Sequence, residues 1–203
     1  MPCQNLGFDI KAQNWKVQSQ QKHIDLIFNG KEIITLNRFD LETANQNTKD
    51  FILKTLMWGY PTKGRGKNID NLLSNDSLEN LTEILNSYRN TDISIERFKE
   101  DIKQTSGLGL STMSKFTNFL NTTINGNRAV ILDLQIINAI NRGTFEEFNS
   151  LQKITYVNAL NKYEQYISTI EKLAEKTNAK PDQIENFIFL FGRSISDIKK
   201  PNI

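Results

Sequence analysis

From about residue 40 onward, the apolar residues of this chain recur at three- and four-residue spacing with few interruptions. That is the period of an α-helix. The breaks between runs carry helix-start and helix-stop residues rather than strand-like alternation. Thr48 precedes Phe51, Ile52, Leu56 and Met57, and Gly59 and Pro61 end that run. Ser77 opens a run through Leu78, Leu81, Ile84, Leu85 and Tyr88, and Ser94 opens another through Ile95, Phe98 and Ile102. Residues 110–122 follow. Asp133 precedes a helix at 134–142 that Gly143 ends, and Thr144 starts a short one. A long helix spans 153–177, and Pro181 falls in the first turn of a last helix that Gly192 ends. The predicted fold class is mainly α: one domain over 1–203, with a helical bundle at 41–203 and a small β element at 1–40. The β element is placed in "HIDLIFNGKEIITL", where two β-rich runs flank Asn29-Gly30, a dipeptide suited to a tight hairpin turn.

Apolar residues make up 38% of the 203 and charged residues 24%, enough for a packed core. The net charge is only +2, so a surface for phosphates would have to be local. Cys3 is the only cysteine and His23 the only histidine. A disulfide framework, a cysteine-ligated zinc site and a four-cysteine iron–sulfur cluster are therefore excluded. His23 reads as a surface residue in a strand-like segment. The N-terminal stretch has no basic region followed by an apolar one, and no apolar run approaches spanning length. These features predict a cytoplasmic protein with no membrane partner.

The stretch "TSGLGLSTMSK" at 105–115 is the most specific feature. Gly107 and Gly109 lie between two short amphipathic helices, an arrangement that predicts a helix-hairpin-helix motif over 95–122. Two glycines let the backbone approach a partner closely, and their N–H groups, with the following helix N-terminus, can cradle a phosphate. Ser111 can cap the second helix or bind the same phosphate. Met113, Phe116 and Leu120 give that helix an apolar face, and an ordinary inter-helix turn would share all these features. Lys115 lies one turn after Ser111 on the same face. In "AVILDLQI" an apolar approach delivers Asp133 to a helix start, where it can act as an N-cap. It can also serve as a carboxylate that takes a proton or stabilises positive charge on a sugar C1′. A lysine amine near such a carboxylate can attack C1′ and form a Schiff base.

On these residues, "SGLGLSTMSKFTNFL" followed by "AVILD", the chain resembles the helix-hairpin-helix DNA glycosylase superfamily. Within it, the 8-oxoguanine DNA glycosylase branch and its short bacterial members look most similar, supported by "MWGYPTKGRG" and "PDQIENFIFLFG". The resemblance covers about residues 50–193. It implies a bacterial, nucleoid-associated enzyme that flips a modified base, such as 8-oxoguanine, from double-stranded DNA. The enzyme would cleave the N-glycosidic bond, with AP-lyase activity if a lysine attacks. No cofactor is implied, and a monomer is expected. Gly107, Gly109 and Ser111 would hold the phosphate, and Asp133 would be the catalytic aspartate. With the glycines aligned, the family's nucleophilic lysine falls at Ser111. Lys115 is one turn further on, so either Lys115 reaches the sugar or water attacks with Asp133 alone.

Two further segments fit this reading. Lys63, Arg65 and Lys67 form a local basic patch in a glycine-rich loop, suited to phosphates or to filling the gap left by an extruded base. A solvated loop is the alternative. Phe187 and Phe191 lie four apart near the end of the last helix, where one could line the base pocket or both could pack in the core. Three other functions are compatible with the residues. One is a glycosylase acting on modified phage bases in antiviral defence; another is a non-catalytic helix-hairpin-helix DNA-binding protein. The third is a purely structural helical protein.

Overall fold

A computed structural model describes residues 7–64, 66–192 and 195. The order of elements follows the punctuation of the sequence. Strand β1 (Phe8–Lys11) is followed by α1 (Gln21–Phe28), β2 (Ile33–Leu36), α2 (Arg38–Ala44) and α3 (Thr48–Gly59). Next come α4 (Asn68–Leu72), α5 (Asn75–Tyr88), β3 (Asp92–Ile93), α6 (Ile95–Gln104) and α7 (Leu110–Phe119). The chain continues through β4 (Thr123–Ile124), β5 (Asn127–Arg128), α8 (Leu134–Asn141) and a 3-10 segment at Glu146–Leu151. It ends in α9 (Ala159–Thr177) and α10 (Pro181–Phe191). The fold is mainly α, as predicted.

The small antiparallel β element lies within 1–40 as expected, but its first strand and its turn differ from the expectation. Residues 21–28 form helix α1, and β2 pairs antiparallel with β1, with Phe8 opposite Leu36 and Lys11 opposite Ile33. A strand would place Ile24, Leu26 and Phe28 on one face. The helix instead buries Ile24 and Phe28 and leaves Leu26 in solvent. Asn29 adopts the left-handed conformation and caps α1, its N–H donating to the Asp25 carbonyl. Asn29 and Gly30, both at positive φ, thus end a helix instead of turning a hairpin. The Asn-Gly hairpin is at Asn125-Gly126, where β4 turns into β5, and β3 joins β4 in parallel. His23 accordingly sits on a helix, 3.7 Å from Asp50 and partly exposed.

Other boundaries shift by a few residues. Asn47, not Thr48, caps α3, accepting from Asp50 N. Helix α5 begins at Asn75, ahead of Ser77; the short segment after Thr144 is 3-10, and α9 starts at Ala159 rather than 153. Ser94 and Asp133 cap α6 and α8 as expected.

Helix α7 runs through the middle of the molecule, and its residues Thr112–Phe119 are all buried. It packs on α3 through Phe51 against Phe116 and Trp58 against Phe119, with ring centroids 5.8 and 5.6 Å apart. A helix buried on every side must satisfy its polar residues internally. Thr117 donates to the Met113 carbonyl, and Asn118 donates to Asp182 at 2.6 Å. Arg38 of α2 lies between Trp58 and Phe119 and donates to both carboxylate oxygens of the fully buried Glu185 on α10, at 3.0 and 2.8 Å. Burial pushes the Glu185 carboxyl up to about 7, although Arg38 opposes the shift.

Candidate functional site

The turn between α6 and α7 brings the two glycines to the surface by different means. Gly107 has φ +82, and a Cβ there would run into the backbone carbonyl of Asn68 at the start of α4. Its missing side chain is therefore used inside the protein, where α4 packs onto the turn. Gly109 is the N-cap of α7 in extended conformation, and no side chain caps this helix start. The first amides of α7 are left for another acceptor, the arrangement of an anion site. The Tyr156 hydroxyl stands over Gly109, 3.2 Å from where its Cβ would be.

The segment before Asp133 is held rigidly. Tyr163 and Tyr166 of α9 donate to the carbonyls of Val130 and Ile131 at 2.8 and 2.9 Å. Burial pushes both hydroxyls up, so they remain donors. Leu132 N donates to Ser114 Oγ on α7 at 3.2 Å. Asp133 then divides its two oxygens. Oδ1 accepts from the amides of Gln135 and Ile136 at 3.0 and 3.2 Å, and Oδ2 lies 3.7 Å from Lys115 Nζ. The capping and charged roles thus coexist in one side chain.

Lys115 and Ser111 meet. The Lys115 amine donates to Ser111 Oγ at 2.9 Å and to the Ser111 carbonyl at 3.1 Å. Helical side chains lean toward the N-terminus, so a lysine reaches back over the residue one turn earlier. The amine of Lys115 therefore ends beside the Ser111 side chain in the first turn of α7. Lys115 is only 4% exposed, and it approaches the surface from beneath Ser111.

Two clefts open above this cluster, with Gly109, Ser111, Leu134 and Tyr156 in the walls of both. One, of about 260 Å³, adds Tyr60, Lys63, Asn68 and Thr112. The other, of about 330 Å³, is lined by Asp133 and by apolar residues including Ile102, Leu132 and Leu160. Leu134, Tyr156 and Val157 form an exposed apolar rim. Sequence reasoning assigned none of these three to the site; the spacing places Tyr156 on the apolar face of the 153–177 helix, whereas it lies in the turn before α9. A further cleft of about 470 Å³ lies at the other end of α7, between Arg38, Asn118, Arg128 and Asp182. Its arginines are held in ion pairs with Glu185 and Asp182, away from Lys115.

The remaining expected residues are distributed differently. Lys63 lines the first cleft, but its amine pairs with Asp70 at 2.7 Å and donates to the Lys16 carbonyl at 2.9 Å. It closes its own loop. Lys67 is exposed before α4, and Arg65 lies outside the described residues. Phe187 and Phe191 do not join the site. They pack against each other at 5.3 Å, Phe187 packs on Phe145 at 6.2 Å, and both remain nearly half exposed. The buried face of α10 is the one carrying Glu185 and Ile188, and residues 187 and 191 fall off it. They line neither cleft beside Asp133.

Among the described residues, no helix is long and apolar enough to cross a membrane. Comparison with the curated proteins and with the solved structures gave no significant match. A family model described as "Putative 8-oxoguanine DNA glycosylase OGG-like protein" matches residues 2–189, a span that takes in the hairpin, Lys115 and Asp133. The chain belongs to this OGG-like family.

Proposed function

We propose that the protein is a DNA glycosylase that extrudes a modified base, an oxidised purine such as 8-oxoguanine, and cleaves its N-glycosidic bond. The observation that carries this reading is the 3.7 Å approach of the Lys115 amine to Asp133, both largely buried, at the uncapped start of α7. The first amides of α7 would hold a backbone phosphate and present the neighbouring nucleotide to the clefts. In the neutral form, with its proton passed to Asp133, the Lys115 amine would attack C1′. The C–N bond to the base then breaks, and its electron pair leaves with the base, which takes up a proton. That proton comes back from Asp133, and the carboxylate so restored stabilises the positive charge that develops on the sugar. Loss of a proton from the nitrogen of the new C–N bond, and ring opening with a proton delivered to O4′, give a Schiff base, from which β-elimination of the 3′ phosphate would cut the strand. The residues contacting the base would come from the cleft walls, such as Asn68 and Tyr156, rather than from Phe187 and Phe191.

One observation favours a second route within the same class. Ser111 forms the wall of both clefts while Lys115 lies beneath it. Water, guided by Asp133, would then attack C1′, and no Schiff base would form. Incubation with duplexes carrying oxidised purines and phage-type modified bases, followed by alkali, tests the glycosylase reading. Borohydride trapping separates the two routes. Cleavage of no member of the panel would overturn the assignment and leave a DNA-binding role.

A further inference from the structure

The Lys115 side chain runs along the C-terminal end of α3. A Cβ on Gly59 would stand 3.1 Å from Lys115 Cδ and 3.2 Å from Cε. The Gly59 backbone is not in the left-handed region, so its conformation does not require glycine. Glycine is also a poor helix former. What this position requires is space, and the lysine stem occupies it.

The next residue, Tyr60, places its ring against the amine, with Lys115 Nζ 5.9 Å from the ring centroid. The ring is tethered in turn, because the Tyr60 hydroxyl shares a 2.8 Å hydrogen bond with Thr112 Oγ1 in the first turn of α7. The helix that carries the lysine therefore also fixes the ring that faces it. With Ser111 and Asp133, the amine is bracketed from three directions. A lysine stem has many rotamers, and without such a bracket its amine would be spread over them.

We propose that Gly59 and Tyr60 are positioning residues for Lys115. Gly59 makes room for the stem, and the Tyr60 ring holds the amine over Ser111 and beside Asp133 by a cation–π contact that Thr112 keeps in place. The consequence for catalysis rests on the glycosylase reading; the positioning itself does not.

The test compares Tyr60→Phe, Tyr60→Leu and Gly59→Ala, each first checked for an unchanged melting profile. The first readout needs no reaction. In protein carrying 13C-labelled lysine, the Lys115 ε-methylene signal is identified by its loss in Lys115→Gln. An aromatic face beside the amine shifts this signal upfield. Tyr60→Leu should return it to the range of exposed lysines, Tyr60→Phe should keep most of the shift, and Gly59→Ala should displace it. An unmoved signal in Tyr60→Leu would overturn the positioning.

The second readout is single-turnover base release from a lesion duplex. Tyr60→Leu should slow it about tenfold or more at unchanged duplex affinity, because a small misplacement of a reacting group is costly. Tyr60→Phe should stay near wild type. Wild-type speed in Tyr60→Leu would overturn the catalytic consequence. Wild-type protein that releases no base would count against the glycosylase reading alone, since the NMR signal still decides the positioning.

Discussion

Lys115 Nζ and Asp133 Oδ2 lie 3.7 Å apart, while the other Asp133 oxygen accepts the first amides of α8. One carboxylate thus fixes a helix start and faces a buried amine. Substitutions can separate these two duties.

Asp133→Asn retains an acceptor for Gln135 and Ile136, so stability should fall by no more than about 1 kcal/mol. The charge facing Lys115 is lost, and base release should fall on the order of a hundredfold. Thermal melts and single-turnover assays on one preparation check both halves. Full activity would leave Asp133 a helix cap only.

Lys115→Gln distinguishes attack by the amine from attack by water. If the amine attacks, borohydride should trap the wild type on lesion DNA and should not trap the variant. Base release without trapping in the wild type would assign the attack to water held by Asp133.

The two glycines should fail in different ways. Gly107→Ala forces a side chain into left-handed backbone and against the Asn68 carbonyl, so it should cost about 1–3 kcal/mol of stability. Gly109→Arg should leave the fold largely intact and weaken binding to duplexes of every sequence. Denaturant melts and binding isotherms distinguish the two outcomes.

The basic loop should divide likewise. Lys67→Ala should reduce the salt dependence of DNA binding by about one charge's worth. Lys63→Ala breaks the contacts to Asp70 and the Lys16 carbonyl, and should lower the melting point with little change in that slope. Equal slope changes in both variants would place Lys63 on the DNA after all.

Glu185 sets a pH dependence of stability. Its carboxyl titrates near the ordinary value of 4.5 when unfolded and at about 7 when folded, because burial raises it. Between these values the folded state binds more protons than the unfolded one. This contribution is therefore complete below the unfolded value and is lost as the pH rises toward 7. Melting points should fall from pH 5 to pH 7.5, and Glu185→Gln should flatten that slope. Equal slopes would remove Glu185 as the cause.

The helices were legible because their apolar spacing and their Ser, Asp, Gly and Pro boundaries agree with one another. The β element falls within 1–40 as expected, but Asn29-Gly30 is not its turn, because positive φ serves two purposes. Asn29-Gly30 ends a helix and Asn125-Gly126 turns a hairpin, and the dipeptide alone cannot distinguish them. Asp133 and Lys115 were legible as types at a helix start and on a helix face. The meeting of Lys115 with Ser111 follows from the backward lean of helical side chains. The roles of Gly59, Tyr60 and Tyr156 were hidden, since each depends on a contact between segments far apart in sequence.

Arg38 and Glu185 are 147 residues apart in the chain and form one buried pair. A ribosome delivers Arg38 early and Glu185 near the end of the described residues. Until α10 emerges, an arginine destined for the space between Trp58 and Phe119 lacks both acceptor oxygens of Glu185, and burying it with those donors unpaired is strongly unfavourable. Helices α2, α3 and α7 therefore cannot settle fully around it while synthesis is under way. Lys115 and Asp133, made in between, would become a finished site only after the last helix has docked, so a nascent chain would carry every reactive residue of the site without its geometry.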